Sequence, residues 1–357
     1  MADLVEAIGE QWVSAIGGLL IGLMFGFFAQ RSRFCLRAAV VEFARGAIGA
    51  KVTIWLIVFA TALMSTQLLV AAGLIDISET RQLAATGSIS GAIVGGLMFG
   101  GGMVLARGCA SRLLVLSATG NLRSLLSGLM FAVVAQASYR GLLSPLREAI
   151  TGLWLIDGGQ SRDIMALTGS STPVKLLWCL AWVAGAAWFT WRNGVAAGII
   201  IGAIGTGLTI AAGWVFTYVL SQSAFTPVAI KSLTFSGPSA DTLMYVLSSP
   251  EKGISFDIAL VPGVFLGSFL SAALARELKL EGFSDGLSMR RYIVGAGLMG
   301  FGAMLAGGCA VGAGVTGASA FALTAWIVLV GMWLGAAAMD ALVDRPSETV
   351  AQPAPSR

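Results

Sequence analysis

The sequence predicts an all-α integral membrane protein. It forms one transmembrane domain over residues 1–357, with about nine transmembrane helices and several short re-entrant or half-helices. Apolar residues make up 57% of the chain and charged residues 11%, whereas soluble domains carry about 25% charged residues. Apolar runs of about 17 residues or more recur along the chain, and each can cross ~30 Å of hydrocarbon. A glycine-rich motif that ends in cysteine also occurs twice, which indicates a duplicated structure.

Nine segments are expected to span the bilayer, and four shorter ones are expected to enter it without crossing. The nine spans are residues 12–29, 53–73, 89–106, 122–138, 174–191, 195–212, 258–275, 292–307 and 320–339. The four short segments are residues 32–46, 109–119, 213–225 and 309–319. Such segments are tolerated at membrane depth only where protein encloses them or where they line a cavity.

The duplicated motif is Arg107–Ala110, which returns 200 residues later as Gly307–Ala310. Between residues 95–110 and 295–310, eight of sixteen positions agree. The shared residues are Gly95, Gly100, Gly102, Leu105, Ala106, Gly108, Cys109 and Ala110. Each half of the chain therefore delivers one cysteine, at a glycine-flanked break, to an equivalent place.

The first span is repeated as well. Gly18–Gly22 matches Gly198–Gly202 at an offset of 180. The same offset aligns Cys35 with Val215, so the second half lacks that thiol. Pairs of glycines four residues apart recur in several spans, and this spacing favours close helix packing.

The repeats are predicted to have inverted topology. Repeat A covers residues 12–140, an extra span covers 174–191, repeat B covers 195–340, and 341–357 have the composition of a disordered tail. Because five crossings separate equivalent points, the two halves enter the membrane from opposite sides. Secondary transporters commonly have this plan, with their sites near the midplane at broken helices.

The distribution of lysine and arginine residues predicts the orientation of the protein in the membrane. If the nine spans alternate with the N-terminus outside, fifteen lysine and arginine residues fall inside and seven fall outside. The positive-inside rule accepts this arrangement, with the C-terminus in the cytoplasm. Asp3, Glu6 and Glu10 precede the first apolar run, unlike the positively charged start of a signal peptide, so that run is expected to be retained.

Several functional classes are excluded by composition. The chain contains no histidine, which removes imidazole metal sites and Ser-His-Asp catalysis. Its four cysteines form no CxxC pair, and no tract is typical of nucleic-acid binding. Among the acidic residues only Glu42 lies near a re-entrant segment, which disfavours coupling through a mid-membrane carboxylate. We expect no cofactor, no bound metal and no enzymatic activity.

Three cysteines lie at the breaks, namely Cys35, Cys109 and Cys309, whereas Cys179 lies inside a span and is expected to be a packing residue. A short helix that begins at such a break points its free N–H groups at the centre, which favours an anion. The candidate binding residues are the three thiols with their flanking Gly108, Ala110, Gly308 and Ala310, together with Arg33 and Arg112. A polarizable thiol suits an anion that itself carries soft sulfur.

The motifs at these positions resemble those of the YeeE/YedE family of membrane proteins. They are Ser32–Cys35, Gly108–Arg112, Gly120–Ser124 and Gly308–Gly312, and the resemblance covers about residues 12–340. It implies an hourglass-shaped carrier of sulfur compounds, thiosulfate in particular. The family's three essential cysteines correspond to Cys35, Cys109 and Cys309, which would pass the ion along by S–H···S contacts. It also implies a TusA-like sulfur carrier as a partner on the cytoplasmic side.

The main hypothesis is an inner-membrane permease for thiosulfate or a closely related sulfur-containing anion. A membrane sulfurtransferase that forms a cysteine persulfide is the first alternative. A Cu(I) carrier is the second, with three thiolates assisted by methionines near the breaks, which are Met24, Met98, Met103, Met299 and Met304.

Overall fold

The computed structural model describes residues 2–248, 253–282 and 286–345. The first half of the chain forms α1 (Ala2–Ile8), α2 (Glu10–Ser32), α3 (Leu36–Ala44), α4 (Ala50–Ala71), α5 (Arg81–Ala84), β1 (Gly87–Ser88), α6 (Ile89–Leu105), α7 (Ala110–Ala118), α8 (Leu122–Arg140), α9 (Ser144–Thr151), β2 (Leu155–Ile156), a 3₁₀ turn (Gly159–Arg162) and α10 (Ile164–Leu167). The second half forms α11 (Thr172–Asn193), α12 (Ala197–Ser223), α13 (Ser236–Leu247), α14 (Phe256–Leu274), α15 (Gly286–Leu305), a π-helix (Gly312–Gly317), α16 (Leu323–Met339) and a second π-helix (Asp340–Asp344). β1 and β2 form one short antiparallel pair.

Eight segments of the described chain are long and apolar enough to cross a membrane. They are Glu10–Ala44, Ala50–Ala71, Ile89–Ala118, Leu122–Arg140, Thr172–Asn193, Ala197–Ser223, Phe256–Leu274 and Leu323–Asp344. They coincide with eight of the nine expected spans. The ninth lies within α15, whose 20 residues extend over ~30 Å. The protein is thus an all-α, multi-pass membrane protein.

Contacts between glycine-rich faces give the directions of the helices. Gly18 of α2 lies against the carbonyl of Phe256 in α14, and Gly26 lies against that of Val264 two turns later. These helices therefore run parallel. α6 and α16 also run parallel, because Gly100 lies one turn beyond Gly96 and faces Met332, one turn beyond Val328. The predicted role of these glycines in packing is confirmed.

The contact between α6 and α15 is reciprocal. A Cβ added to Gly95 or Gly295 would lie 2.5 to 2.7 Å from backbone atoms of the other helix. The reciprocal contacts join Gly95 to Gly302 and Ala306, and Gly295 to Gly102 and Ala106. The contact of Gly95 with Gly302 corresponds to that of Gly295 with Gly102, because equivalent residues differ by 200 in number. The early part of each helix lies against the late part of the other, so the two helices run antiparallel. A pseudo-twofold axis therefore passes between them, perpendicular to both, as an inverted repeat requires.

The number of membrane crossings between α6 and α16 indicates that α15 also crosses the membrane. α16 runs parallel to α6, so an odd number of crossings must lie between them. The crossings of α8, α11, α12 and α14 are four, and α15 supplies the fifth. Within the described residues, nine crossings rather than eight satisfy the observed directions.

The prediction of one re-entrant segment is wrong. Residues 213–225 continue α12 as far as Ser223 without a break. Gly213 does not open the helix there: it leaves room for Ser232, whose Oγ would lie 2.5 Å from an added Cβ. Trp214 is fully buried and donates from Nε1 to the Ser319 Oγ at 3.4 Å, which stabilises the straight helix.

The other three short segments form as α3, α7 and the π-helix that begins at Gly312. The helical chain also extends to Arg345, five residues into the predicted tail. There Asp340 and Asp344 form ion pairs with arginines. The remainder of that tail, residues 346–357, lies outside the described residues.

The molecule has two distinguishable ends. The loop-rich end is formed by residues 72–88, 141–171, 224–235 and 306–322. The arginine-rich end is formed by residues 31–49, 106–121, 275–282 and 340–345. Salt bridges such as Arg37–Asp344 and Arg291–Asp344 connect separate helices at the arginine-rich end.

Substituting a contact glycine tests the packing. We expect Gly100→Ala to lower the free energy of unfolding by about 1–3 kcal/mol, because its Cβ would lie 2.3 Å from the Met332 carbonyl oxygen. Gly128→Ala in α8 is the matched control, because its Cβ would meet no atom within 4 Å. Thermal unfolding of the purified proteins in detergent measures the difference. Equal midpoints for both variants would contradict the packing described here.

Candidate functional site

Three helices end in the same way before each break. Arg33, Arg107 and Gly307 have left-handed backbone conformations, with φ of 54°, 56° and 72°. The next N–H group in each case turns back to a carbonyl near the helix end. These bonds join Phe34 to Ala29, Gly108 to Met103 and Gly308 to Ala303. This is the Schellman arrangement, which stops a helix and redirects the chain.

The cysteine that follows each turn begins the next helical segment. The carbonyls of the three cysteines accept the first helical bonds, from Ala39 to Cys35 at 3.2 Å, from Leu113 to Cys109 at 2.9 Å and from Ala313 to Cys309 at 2.8 Å. Each thiol therefore lies beside the first turn of a helical segment, where N–H groups lack helical partners. In α3 and α7 these N–H groups form the positive end of a helix, which favours anions.

Cys35 and Cys109 lie together at the arginine-rich end. Their side chains are close enough to interact, and Cys109 Sγ lies 3.4 Å from Ser111 Oγ. The charge of Arg112 lies beside both thiols. Arg112 is oriented by Gln30, whose Oε1 accepts from Nη1 at 3.3 Å. The result is a pair of polarizable donors with one adjacent positive charge.

A second layer of polar contacts orients Gln30. Its Nε2 donates to Glu277 Oε2 at 3.0 Å, and Arg33 Nη2 lies 3.2 Å from Glu277 Oε1. The side chain of Arg33 is 69% exposed, and its hydrogen-bonded contacts lead through Glu277 and Gln30 to Arg112. The sequence analysis missed Gln30 and Glu277, which meet across 247 residues of chain.

Cys309 lies in a different environment, at the loop-rich end. Its sulfur accepts N–H bonds from Phe235 at 3.3 Å and Gly312 at 3.4 Å. Thr234 Oγ1 lies 4.0 Å away. Phe235 and Thr234 lie between α12 and α13, in a segment for which the sequence predicted no role. This thiol is thus held by amide groups rather than by a charged side chain.

The three thiols do not form one cluster. Ala106 packs against Gly295, and Ala306 lies eleven residues further along α15, which is ~16 Å. Cys109 and Cys309 therefore follow opposite ends of the contact between α6 and α15. Among the described residues, the hydrogen-bond contacts of Cys309 include neither Cys35 nor Cys109.

The small residues beside the cysteines allow the tight turns. An added Cβ at Gly308 would lie 2.8 Å from the Ala313 nitrogen, and one at Gly108 would lie 3.3 Å from a leucine side chain. Ala110 and Ala310 are buried directly after the thiols. Cys109 and Cys309 are buried as well.

Two cavities flank the Gly307–Gly312 turn at the loop-rich end. One, of about 280 Å³, is lined by Lys231, Thr234 and Ser236 among others. The second, of about 210 Å³, is lined by residues that include Arg81 and Arg162. Arg81, Gln82 and Gly307 line both cavities. Open space therefore reaches both sides of the turn that carries Cys309.

The alternative of a copper carrier finds no support in this arrangement. Within the described ranges, no group of three or more cysteine, aspartate or glutamate side chains is close enough to hold a metal ion. Cys179 lies within α11, away from the breaks, as expected of a packing residue.

Two curated relatives resemble the chain over most of its length. The protein named thiosulfate transporter TsuA from Escherichia coli (strain K12) is 26% identical over 337 residues, covering 90% of this chain and 92% of that protein. The protein of the same name from Spirochaeta thermophila is 26% identical over 338 residues, covering 89% of this chain and 96% of that protein. Both names describe transporters rather than enzymes, in agreement with the expectation from sequence.

A family model described as sulphur transport matches residues 31–338. That range contains all three break cysteines and both repeated glycine motifs. The chain therefore belongs to the sulphur transport (YeeE/YedE) family, and it is a membrane transporter of sulfur compounds.

Proposed function

We propose that the protein takes up thiosulfate, or a closely related sulfur-containing anion, across the bacterial inner membrane. The observation that carries the proposal is the repeated placement of a thiol at the start of a helical segment, immediately after a Schellman turn. Amide groups there attract the negative charge, while the thiol contacts soft sulfur. The names of the two relatives support the choice of thiosulfate.

The proposed route runs from the loop-rich end to the arginine-rich end. The ion enters through the cavities beside Gly307 and reaches Cys309. It then passes to Cys109 and Cys35, where Arg112 balances its charge. The relay uses S–H hydrogen bonds without covalent change. Because Cys309 lies apart from Cys109 and Cys35, the ion binds first at Cys309 and then at the Cys109–Cys35 pair.

The proposed orientation places the loop-rich end and the N-terminus outside. Glu10 at the start of α2 accepts a hydrogen bond from Thr226 of the loop-rich end. The described helical chain reaches Arg345 in the arginine-rich end, and the positive-inside rule favours the cytoplasmic side for that end. A TusA-like sulfur carrier would receive the ion at the arginine-rich end.

A sulfurtransferase remains the second candidate because Arg112 lies beside both Cys35 and Cys109. A cation in that position stabilises a thiolate. The thiolate would attack the outer sulfur of thiosulfate, a new S–S bond would form, and sulfite would leave with the electron pair of the old one. Mass spectrometry after exposure to thiosulfate separates the candidates. Addition of one sulfur atom to Cys35 or Cys109 favours the enzyme, and unmodified thiols during active uptake favour the permease.

Removing individual thiols tests the relay. We expect Cys109→Ala and Cys309→Ala to reduce uptake of radiolabelled thiosulfate to background. Each variant removes a sulfur ligand of the ion at a different binding position on the route. Cys179→Ala is the matched control, since that thiol lies within a span. The measurement uses cells that lack other sulfate and thiosulfate importers. Normal uptake by both break variants, at equal membrane levels, would refute the relay.

Removing the positive charge of Arg112 at the arginine-rich end tests the role of this residue. We expect Arg112→Gln to lower uptake roughly tenfold, because a charge-assisted hydrogen bond to the ion is lost. Arg112→Lys should recover part of the rate, since it restores the charge. Arg123→Gln is the control at the same end; Arg123 donates to the Tyr292 hydroxyl instead of facing the thiols. Equal rates for the Arg112 and Arg123 glutamine variants would contradict this role.

A further inference from the structure

The cavity of about 210 Å³ at the loop-rich end contains positive charge without a matching carboxylate. Its lining comes from residues 81–88, from Arg162 and from residues 305–325. The charged side chains in that lining are two guanidinium groups, those of Arg81 and Arg162. The remaining polar groups in the lining are neutral.

Arg162 is the unusual member of this pair, because it is only 7% exposed. Its Nη1 donates to the carbonyls of Ala85 at 2.5 Å and Arg81 at 3.2 Å, and Nη2 donates to Thr324 Oγ1 at 2.7 Å. The buried Nε has no hydrogen-bond partner among the described residues. Burial lowers the pKa of Arg162, and the charge of Arg81 acts in the same direction. A buried cation without a counter-charge is unfavourable.

Arg81 adds a second unpaired charge. Its Nη2 donates to the Gly307 carbonyl at 3.0 Å, and it forms no ion pair within the described residues. Two other cations at this end are paired: Lys231 lies 2.5 Å from Asp257, and Arg147 lies 3.0 Å from Glu148. The lining of the cavity that holds Arg81 and Arg162 contains no such carboxylate.

Gly87 lies directly against the guanidinium of Arg162. An added Cβ at this position would lie 2.8 Å from both Cζ and Nε of Arg162. A side chain there would displace the guanidinium. The cavity therefore combines a buried cation and an unused donor with a glycine that the position of the guanidinium requires.

We propose that this cavity is a loading site for divalent oxyanions on the outer side, in which Arg81 and Arg162 hold the ion before it reaches Cys309. The inference rests on the proposed function, because the Arg81 contact at Gly307 lies two residues before that thiol. Guanidinium groups recognise oxygen atoms and charge, not soft sulfur. Sulfate and thiosulfate therefore both bind at the loading site, and selection for the sulfur ligand occurs afterwards, at the thiols.

Sulfate is accordingly the probe for this site. Isothermal titration of the purified full-length protein with sulfate should give one binding event that Arg81→Gln weakens roughly tenfold, the effect of one charge-assisted hydrogen bond. Gly87→Ala should weaken it as well, by displacing the guanidinium of Arg162. Arg147→Gln, which removes a paired arginine at the same end, should bind sulfate as the unmodified protein does.

Uptake provides the second readout. External sulfate should compete with thiosulfate, and Arg81→Gln should raise the KM for thiosulfate roughly tenfold while kcat is largely retained. Absence of sulfate binding, or equal binding by the Arg81 and Arg147 variants, would overturn the loading site. Neither result would contradict the proposed uptake of thiosulfate. Absence of thiosulfate uptake by the unmodified protein would overturn the proposed function, whereas the titration with sulfate would still decide whether the cavity binds a divalent oxyanion.

Discussion

The close backbone contact between α6 and α15 is the constraint on which the rest of the structure depends. Glycines on both helices remove the side chains that would hold the backbones apart. Because equivalent residues contact each other reciprocally, the two halves are related by an axis perpendicular to the helices. The Schellman turn after each helix then lies at opposite ends of the contact. One repeated sequence thus supplies a cysteine to each side of the molecule.

The two sides differ in the chemistry around the thiol. At the arginine-rich end, Cys109 has a second thiol and Arg112 as neighbours. At the loop-rich end, Cys309 receives amide N–H groups from Phe235 and Gly312. The difference follows from the second half, where α12 continues through the position equivalent to Cys35.

Much of the fold could be predicted from sequence because its signals are local. Apolar length predicted the spans, and the repeated glycine motif predicted the breaks at Cys109 and Cys309. Residues 213–225 were predicted to form a separate short segment, but Gly213 at their start is a point of close approach rather than a break. Here Ser232 occupies the space, and only the tertiary structure distinguishes the two roles.

The rest of the candidate site could not be predicted because its partners are distant in sequence. Gln30 and Glu277 meet across 247 residues, and Phe235 reaches Cys309 across 74. Phe235 is the N-cap of α13 and follows a segment without regular secondary structure. Its contribution is a backbone N–H group, which every residue type except proline could supply. Arg112 was predicted from its position beside Cys109, whereas the exposure of Arg33 depends on where α2 ends.

A structure of the protein with bound thiosulfate, determined by electron cryomicroscopy in lipid nanodiscs, tests the central claim most directly. The thiols at the helix breaks are expected to be ligands of the transported ion. The account predicts density for the ion in contact with the sulfur of Cys309 or Cys109. Thiosulfate bound on a route through the membrane that touches none of Cys35, Cys109 and Cys309 would contradict it.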